Sequence, residues 1–266
     1  AAGRRGAASD GTDRMDRMDR MDGANRTNGV AGVHQGAGAG AAVNGPVETT
    51  LGEQLLLLSL DDASGSEQES AKTAAAISAA SLVELALAGR IDVTGDDEVT
   101  VLDRTPLGVP ALDAALADIT AREKPLAARH WIDRLKKEAV AGASEGLLRK
   151  GLVRRERKKI LGLFPVVRYP EADGSAEAAV RQRLDAVVLR GEEPDERTAG
   201  LVALLHGAKL HRQAFPGADA RRVGKAVESI AHGHWSAAAV RHVVKAAEDA
   251  LMAIVMVTVV TTAAGG

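Results

Sequence analysis

Apolar residues recur at helical spacing along most of the chain beyond residue 50. Leu82, Leu85 and Leu87 lead up to Gly89, and Leu112, Ala115, Leu116 and Ile119 fall at i, i+3, i+4 and i+7. Val180, Leu184, Val187 and Val188 form a further face, as do Leu201, Leu204, Leu205 and Ala208. The last face runs through Val240, Val243, Val244, Ala247, Leu251, Ile254 and Val255. Thr50-Leu51-Gly52-Glu53 has the capping-box spacing in front of LLLLSL, so order is expected to begin there. Gly191 to Asp195 and Pro216-Gly217 punctuate the faces. The pattern predicts a mainly α protein: a single compact helical domain.

Two stretches leave the helical period, and they resemble each other. Glu84 to Asp103 reads as a helix stopped by Gly89, followed by two short alternating strands around Thr94-Gly95-Asp96-Asp97. Leu147 to Phe164 reads as a helix stopped by Gly151, followed by a hairpin around Glu156. In both, glycine supplies the left-handed helix end from which the chain can turn sharply. The first hairpin is acidic (Asp92, Asp96, Asp97, Glu98) and the second is basic, so the shared architecture does not explain the charge.

Composition supports helices. Only 2% of the 266 residues are aromatic against 45% hydrophobic overall, so Leu, Val, Ile and Ala must pack the core. With no cysteine, disulfides and thiolate chemistry are absent, which suits a reducing cytoplasm. Residues 1–48 hold Gly, Ala, Asn and the triplet repeat DRMDRMDRMD, and are expected to form a disordered tail. The helical domain is placed at 49–260 and a flexible C-terminus at 261–266. No signal-peptide pattern opens the sequence. The uncharged run Ala250 to Ala264 is short of the ~20 residues that cross a bilayer, and is read as an amphipathic terminal helix packed on the core.

Catalytic and metal signatures are weak. Gly142-Ala143-Ser144-Glu145-Gly146 matches G-x-S-x-G, but the charged, helix-forming DRLKKEAVA precedes it instead of a buried strand. The reading is a flexible, glycine-weakened helix. His206 and His211 are five apart and His232 and His234 two apart, neither a metal-ligand spacing on one helix face. Trp131 and Trp235 are read as core anchors, and Glu84 as a lone carboxylate in an apolar run. No enzyme, cofactor or metal site is expected.

The stretch Arg149 to Lys159 holds seven Lys or Arg against one acid, in a chain of formal charge −2, and Leu161, Leu163 and Phe164 follow it. These residues admit several readings. One is a solvated turn with the apolar residues facing the core. Another is membrane docking: about 1 kcal/mol per cation near an anionic leaflet, with ~1.5–3 kcal/mol for each inserted Leu or Phe. A third is a winged-helix-like nucleic-acid binder, disfavoured by the acidic chain and the scarcity of stacking aromatics. The fourth is a self-associating scaffold pairing through the hairpin edge.

Five blocks then carry a family resemblance: TLGEQLLLLSLDD (Thr50–Asp62), SLVELALAGRIDV (Ser81–Val93), TPLGVPALDAALADI (Thr105–Ile119), GLLRKGLVRRERKKILGLFPVVRYP (Gly146–Pro170), and LVALLHGAKL (Leu201–Leu210) with AFP (Ala214–Pro216). Their order resembles the Golgi phosphoprotein 3 family, in its bacterial branch, from about Thr49 to Thr258. The resemblance implies a helical domain whose hydrophobic hairpin dips into membranes, binding of phosphatidylinositol 4-phosphate, and an adaptor role for cytosolic tails of membrane proteins. It places Leu161, Leu163 and Phe164 at the inserting positions. At the family's headgroup site, the tryptophan position falls in Gly65–Ser70, which has no aromatic, and the arginine position falls on Ser78. Two basic positions fall on Lys137 and Val140.

The expectation is a non-enzymatic peripheral membrane protein on the cytoplasmic face. Lys136, Lys137, Arg154, Arg155, Arg157, Lys158 and Lys159 are assigned to anionic headgroups, of phosphoinositide type. The expected partner is anionic lipid, with tails of membrane proteins or a second copy as further candidates and no nucleic acid.

Overall fold

The computed structural model describes residues 48–60, 70–160, 164–233, 235 and 237–263. Among these lie nine helices and two antiparallel hairpins, in the order α1 (Leu51–Ser59), α2 (Ser70–Leu87), β1 (Ile91–Val93), β2 (Val99–Val101), α3 (Pro110–Ala121), α4 (Ala128–Arg149), β3 (Glu156–Ile160), β4 (Phe164–Arg168), α5 (Ser175–Leu184), α6 (Glu196–Gly207), α7 (His211–Ala214), α8 (Ala220–Ala231) and α9 (Ala238–Ala263). A π-helical turn, Asp185–Leu189, continues α5. Residues 1–47 and the last three lie outside the described residues, and with them almost all of the expected tail.

α2 is the hub. It packs against α1, α4, α6 and α9, and Ala75 to Ala86 are all buried. A helix without a polar face can only be central, and its run of alanines lets four neighbours approach. α6 is likewise buried from Thr198 through Gly207. The amphipathic faces predicted for α3 and for the α5 to π-turn segment are the buried ones. α9 buries Val240, Val243, Val244, Ala247 and Leu251, while Ile254 and Val255 are only half-buried. Trp131 is fully buried, with Arg122 and Arg134 over its ring at 5.9 and 6.0 Å.

The helix ends follow local rules. Thr50 accepts from Glu53 N and Glu53 from Thr50 N, the reciprocal capping box. At the end of α2, Gly89 N donates to Ala86 O and Arg90 N to Leu85 O, with Gly89 at φ +69°. At the end of α4, Gly151 N donates to Leu148 O and Leu152 N to Leu147 O, with Gly151 at φ +70°. Both are Schellman ends with glycine in the left-handed position. Each launches a hairpin.

The first hairpin turns through Thr94–Asp97 as expected, with Asp97 N donating to Thr94 O at 3.0 Å. The second differs from expectation. Glu156 does not sit in a turn; it opens β3, opposite Arg168, and the register runs to Ile160 opposite Phe164. The connection therefore spans 161–163, and the basic residues from Arg157 lie along a strand. Anchors on both sides of the base set this register: Arg154 N donates to Pro170 O at 2.9 Å, and Val153 bridges Glu171.

The G-x-S-x-G stretch lies inside α4, and its glycines serve packing rather than flexibility. A Cβ at Gly142 would come within 2.5 Å of Ala111 Cβ, and one at Gly146 would collide with the Glu53 carboxylate. Ser144 Oγ is spent on Val140 O at 2.9 Å. There is no nucleophile elbow.

Candidate functional site

The basic hairpin is seated firmly and stands apart. Leu152 and Val153, just before β3, are buried at 1% and 3% exposure, and Ala172 N closes on Leu152 O at 2.9 Å. Beyond that seat, β3 and β4 are each other's packing partners, and no helix packs substantially along either among the described residues. Val167, on β4, is 46% exposed. A five-residue strand reaches about 17 Å, so the last backbone pair, Ile160 with Phe164, lies well away from the hairpin's base. Leu161 and Leu163 lie outside the described residues. Phe164 is placed by backbone register alone, opposite Ile160.

The cations expected to meet headgroups fall into two groups. Arg154, Arg155 and Arg157 are exposed at the start of the hairpin, and Lys158 and Lys159 continue β3. Lys136 and Lys137 are on α4, and Lys137 lies eight residues, about 12 Å along the axis, before Glu145. Lys136 is paired with Asp133 at 2.6 Å, and Lys137 is exposed. Arg155 donates to Glu145, and that carboxylate, with a smaller contribution from Tyr169, pushes the Arg155 guanidinium further above its usual range. Lys150, inside the same basic run, is engaged with the buried Glu53 and belongs to the fold.

The headgroup positions inferred by resemblance fare differently. Ser78 is fully buried and donates to Ile132 O at 2.7 Å, so it belongs to the α2–α4 contact. Val140 is half-buried on α4. Gly65 to Glu69 lies outside the described residues.

Two polar clusters were not legible in the sequence. Glu84, read as a lone carboxylate, is held by Arg197, whose Nη1 and Nη2 donate to its two oxygens at 2.7 and 2.8 Å. Leu51 N donates to the same carboxylate at 2.6 Å. His206 and His211 also come together, with ring centroids 5.8 Å apart, and His232 joins at 6.5 Å. The five-residue spacing misleads because Lys209, at φ 56°, reverses the chain between them. Glu248 Oε1 lies 3.3 Å from His206 Nε2. Burial first, then the charge of Lys209, lowers His206 to about 4. His211 is lowered for the same reasons, and burial raises Glu248. Among the described residues, no group of three or more His, Asp or Glu is arranged to hold a metal.

A helical domain with a hairpin seated by a Schellman glycine can now be set against known proteins. The family model described as Golgi phosphoprotein 3 (GPP34) matches residues 51–247. The chain belongs to the Golgi phosphoprotein 3 family. The match spans α1 through the first part of α9 and thus takes in the whole basic hairpin of this family member. It is also 29% identical over 199 residues to the vacuolar protein sorting-associated protein 74 of Eremothecium gossypii, covering 60% of each chain. The chain thus spans about 60% of the length of the curated relative it matches. Among the described residues, no helix of this family member is long and apolar enough to cross a membrane.

Proposed function

We propose that this Golgi phosphoprotein 3 family member docks on the cytoplasmic face of a membrane. Its basic hairpin binds anionic lipid of phosphoinositide type, and Leu161, Leu163 and Phe164 insert. The observation that carries the reading is the projection of a polycationic hairpin from a seat sunk in the core, with no helix packed substantially along its strands among the described residues.

The energetics need both signals. Each cation near an anionic leaflet contributes about 1 kcal/mol, and each inserted large apolar side chain ~1.5–3 kcal/mol. Neither alone makes a stable anchor, while together they give reversible, salt-sensitive binding. The Arg155–Glu145 pair is no obstacle, because it is solvated on both sides and such pairs contribute little. A phosphate can replace that carboxylate. Lys136 and Lys137 on α4 supply a second cationic group. With serine and valine at two of the family's headgroup positions, recognition rests on charge density more than on a shaped pocket. An adaptor role, with cytosolic tails of membrane proteins as partners, follows as part of the same proposal.

Flotation with liposomes tests it. Binding is expected to vesicles containing phosphatidylinositol 4-phosphate or phosphatidylserine, not to pure phosphatidylcholine, and to weaken in raised salt. Leu163→Asp with Phe164→Asp should abolish it with helicity unchanged. Equal binding to neutral vesicles, or binding unaffected by the tip variant, overturns the proposal.

A further inference from the structure

Along one stripe of α9, Arg241, Val244, Lys245, Glu248, Asp249 and Met252 recur at i, i+3, i+4, i+7, i+8 and i+11, the period of a single helix face. This stripe meets the end of α8 and Trp235 around a cavity of about 290 Å³, remote in sequence from the basic hairpin. Trp235 is 9% exposed and forms part of the wall, as do Val244 and Met252.

Two cations and two carboxylates line this cavity, and they differ in burial and in partners. Lys245 is spent on Asp249 at 2.6 Å, and with 74% of its side chain exposed it stands in solvent. Arg241 is also exposed, seven residues from Glu248, about 10 Å along the helix. Glu248 is different. It is 7% exposed, it lines the cavity, and its Oε1 has no hydrogen-bond partner. His206 Nε2 is near, at 3.3 Å, but burial and the Lys209 charge hold that imidazole neutral at physiological pH. Lys245, Lys209 and His232 act on Glu248 through their charge, but burial outweighs them, and a buried carboxylate oxygen left without a donor is costly. Beside it stand an aromatic ring and a thioether, the surfaces that accept desolvated cations.

We propose that this cavity binds a small organic cation, an alkylguanidinium or alkylammonium group. Glu248 is the counterion, Trp235 stands over the cation or its stem, and Val244 and Met252 hold the methylenes. A free amine and a basic side chain of a peptide share this chemistry. The inference is independent of lipid docking.

Calorimetric titration of the full chain separates the possibilities. Agmatine represents the free cation, and arginine blocked at both termini represents the peptide side chain. Blocked citrulline is the neutral isostere. Saturable binding of either cation, at least tenfold tighter than citrulline, is expected; agmatine alone assigns a free amine, and blocked arginine a peptide. Glu248→Gln should reduce affinity at least tenfold, whereas Arg241→Gln should leave it equal or slightly tighter. The wild-type comparison of arginine with citrulline decides the matter even if the Glu248 variant does not fold. Equal binding of citrulline, no binding of either cation, or loss of binding on Arg241→Gln overturns the proposal.

Discussion

Arg197 closes a guanidinium fork on both oxygens of Glu84, 113 residues earlier in the chain, and with its second nitrogen also donates to Thr49 O at 2.8 Å. One carboxylate thereby ties α6 to α2 and to the start of α1, whose Leu51 N it also accepts. Glu84 is 8% exposed at the side chain, so removing its partner leaves an uncompensated charge. Arg197→Ala should cost about 3 kcal/mol. Glu84→Met with Arg197→Leu should cost less than the single change. Urea denaturation of the three proteins checks both statements, and equal losses would show that the pair is not the source.

Acid should loosen the α6–α9 contact. In the unfolded chain histidine titrates near 6.5, whereas folded His206 is lowered to about 4. The unfolded state therefore binds the proton first, and stability falls as pH drops from about 6.5 towards 4. Lowered His211 acts in the same direction. Glu248, raised by burial, acts oppositely: its contribution favours the fold at low pH and is lost as pH rises through its raised value. The His206 contribution is of order 2–3 kcal/mol. Unfolding free energies at pH 7, 5.5 and 4.5 should decline in the wild type and decline less in His206→Gln. Parallel curves would contradict this assignment.

Glu145 competes with lipid for Arg155. The two side chains are 51% and 43% exposed and paired on the hairpin's flank. Glu145→Gln should free the guanidinium and raise the fraction bound to acidic vesicles several-fold. Arg154→Glu with Arg157→Glu should reduce it and flatten its salt dependence, since each replaced cation alters the electrostatic part alone. Flotation at two salt concentrations distinguishes these outcomes from a change in folding.

Gly151 and Lys209 occupy the same left-handed position at two helix ends, at φ +70° and 56°. Lys209→Gly should stabilise by about 0.5–1 kcal/mol, and Gly151→Ala should destabilise by about 1 kcal/mol. The second change also strains the seat of the basic hairpin, so it should weaken vesicle binding. Thermal melts with flotation of Gly151→Ala check this, and unaltered values would show that the Schellman end is not what sets the hairpin's direction.

How far these features could be foreseen depends on the range of the forces involved. The amphipathic face of α3, the capping box at Thr50 and Glu53, and the glycine ends at Gly89 and Gly151 are set by neighbours within about one helical turn. They were readable from spacing alone, whereas the family was legible through the resemblance of five sequence blocks. The turn of the basic hairpin was misplaced at Glu156 because alternation in a short strand fits more than one register. The choice fell to the backbone bonds at its base, Arg154 to Pro170 and Val153 to Glu171. The Glu84–Arg197 fork and the gathering of His206, His211, His232 and Glu248 left no mark on any local pattern. Polar side chains far apart in the chain meet only once hydrophobic burial has stacked α2, α6, α8 and α9. That packing selects their partners, and no periodicity encodes it.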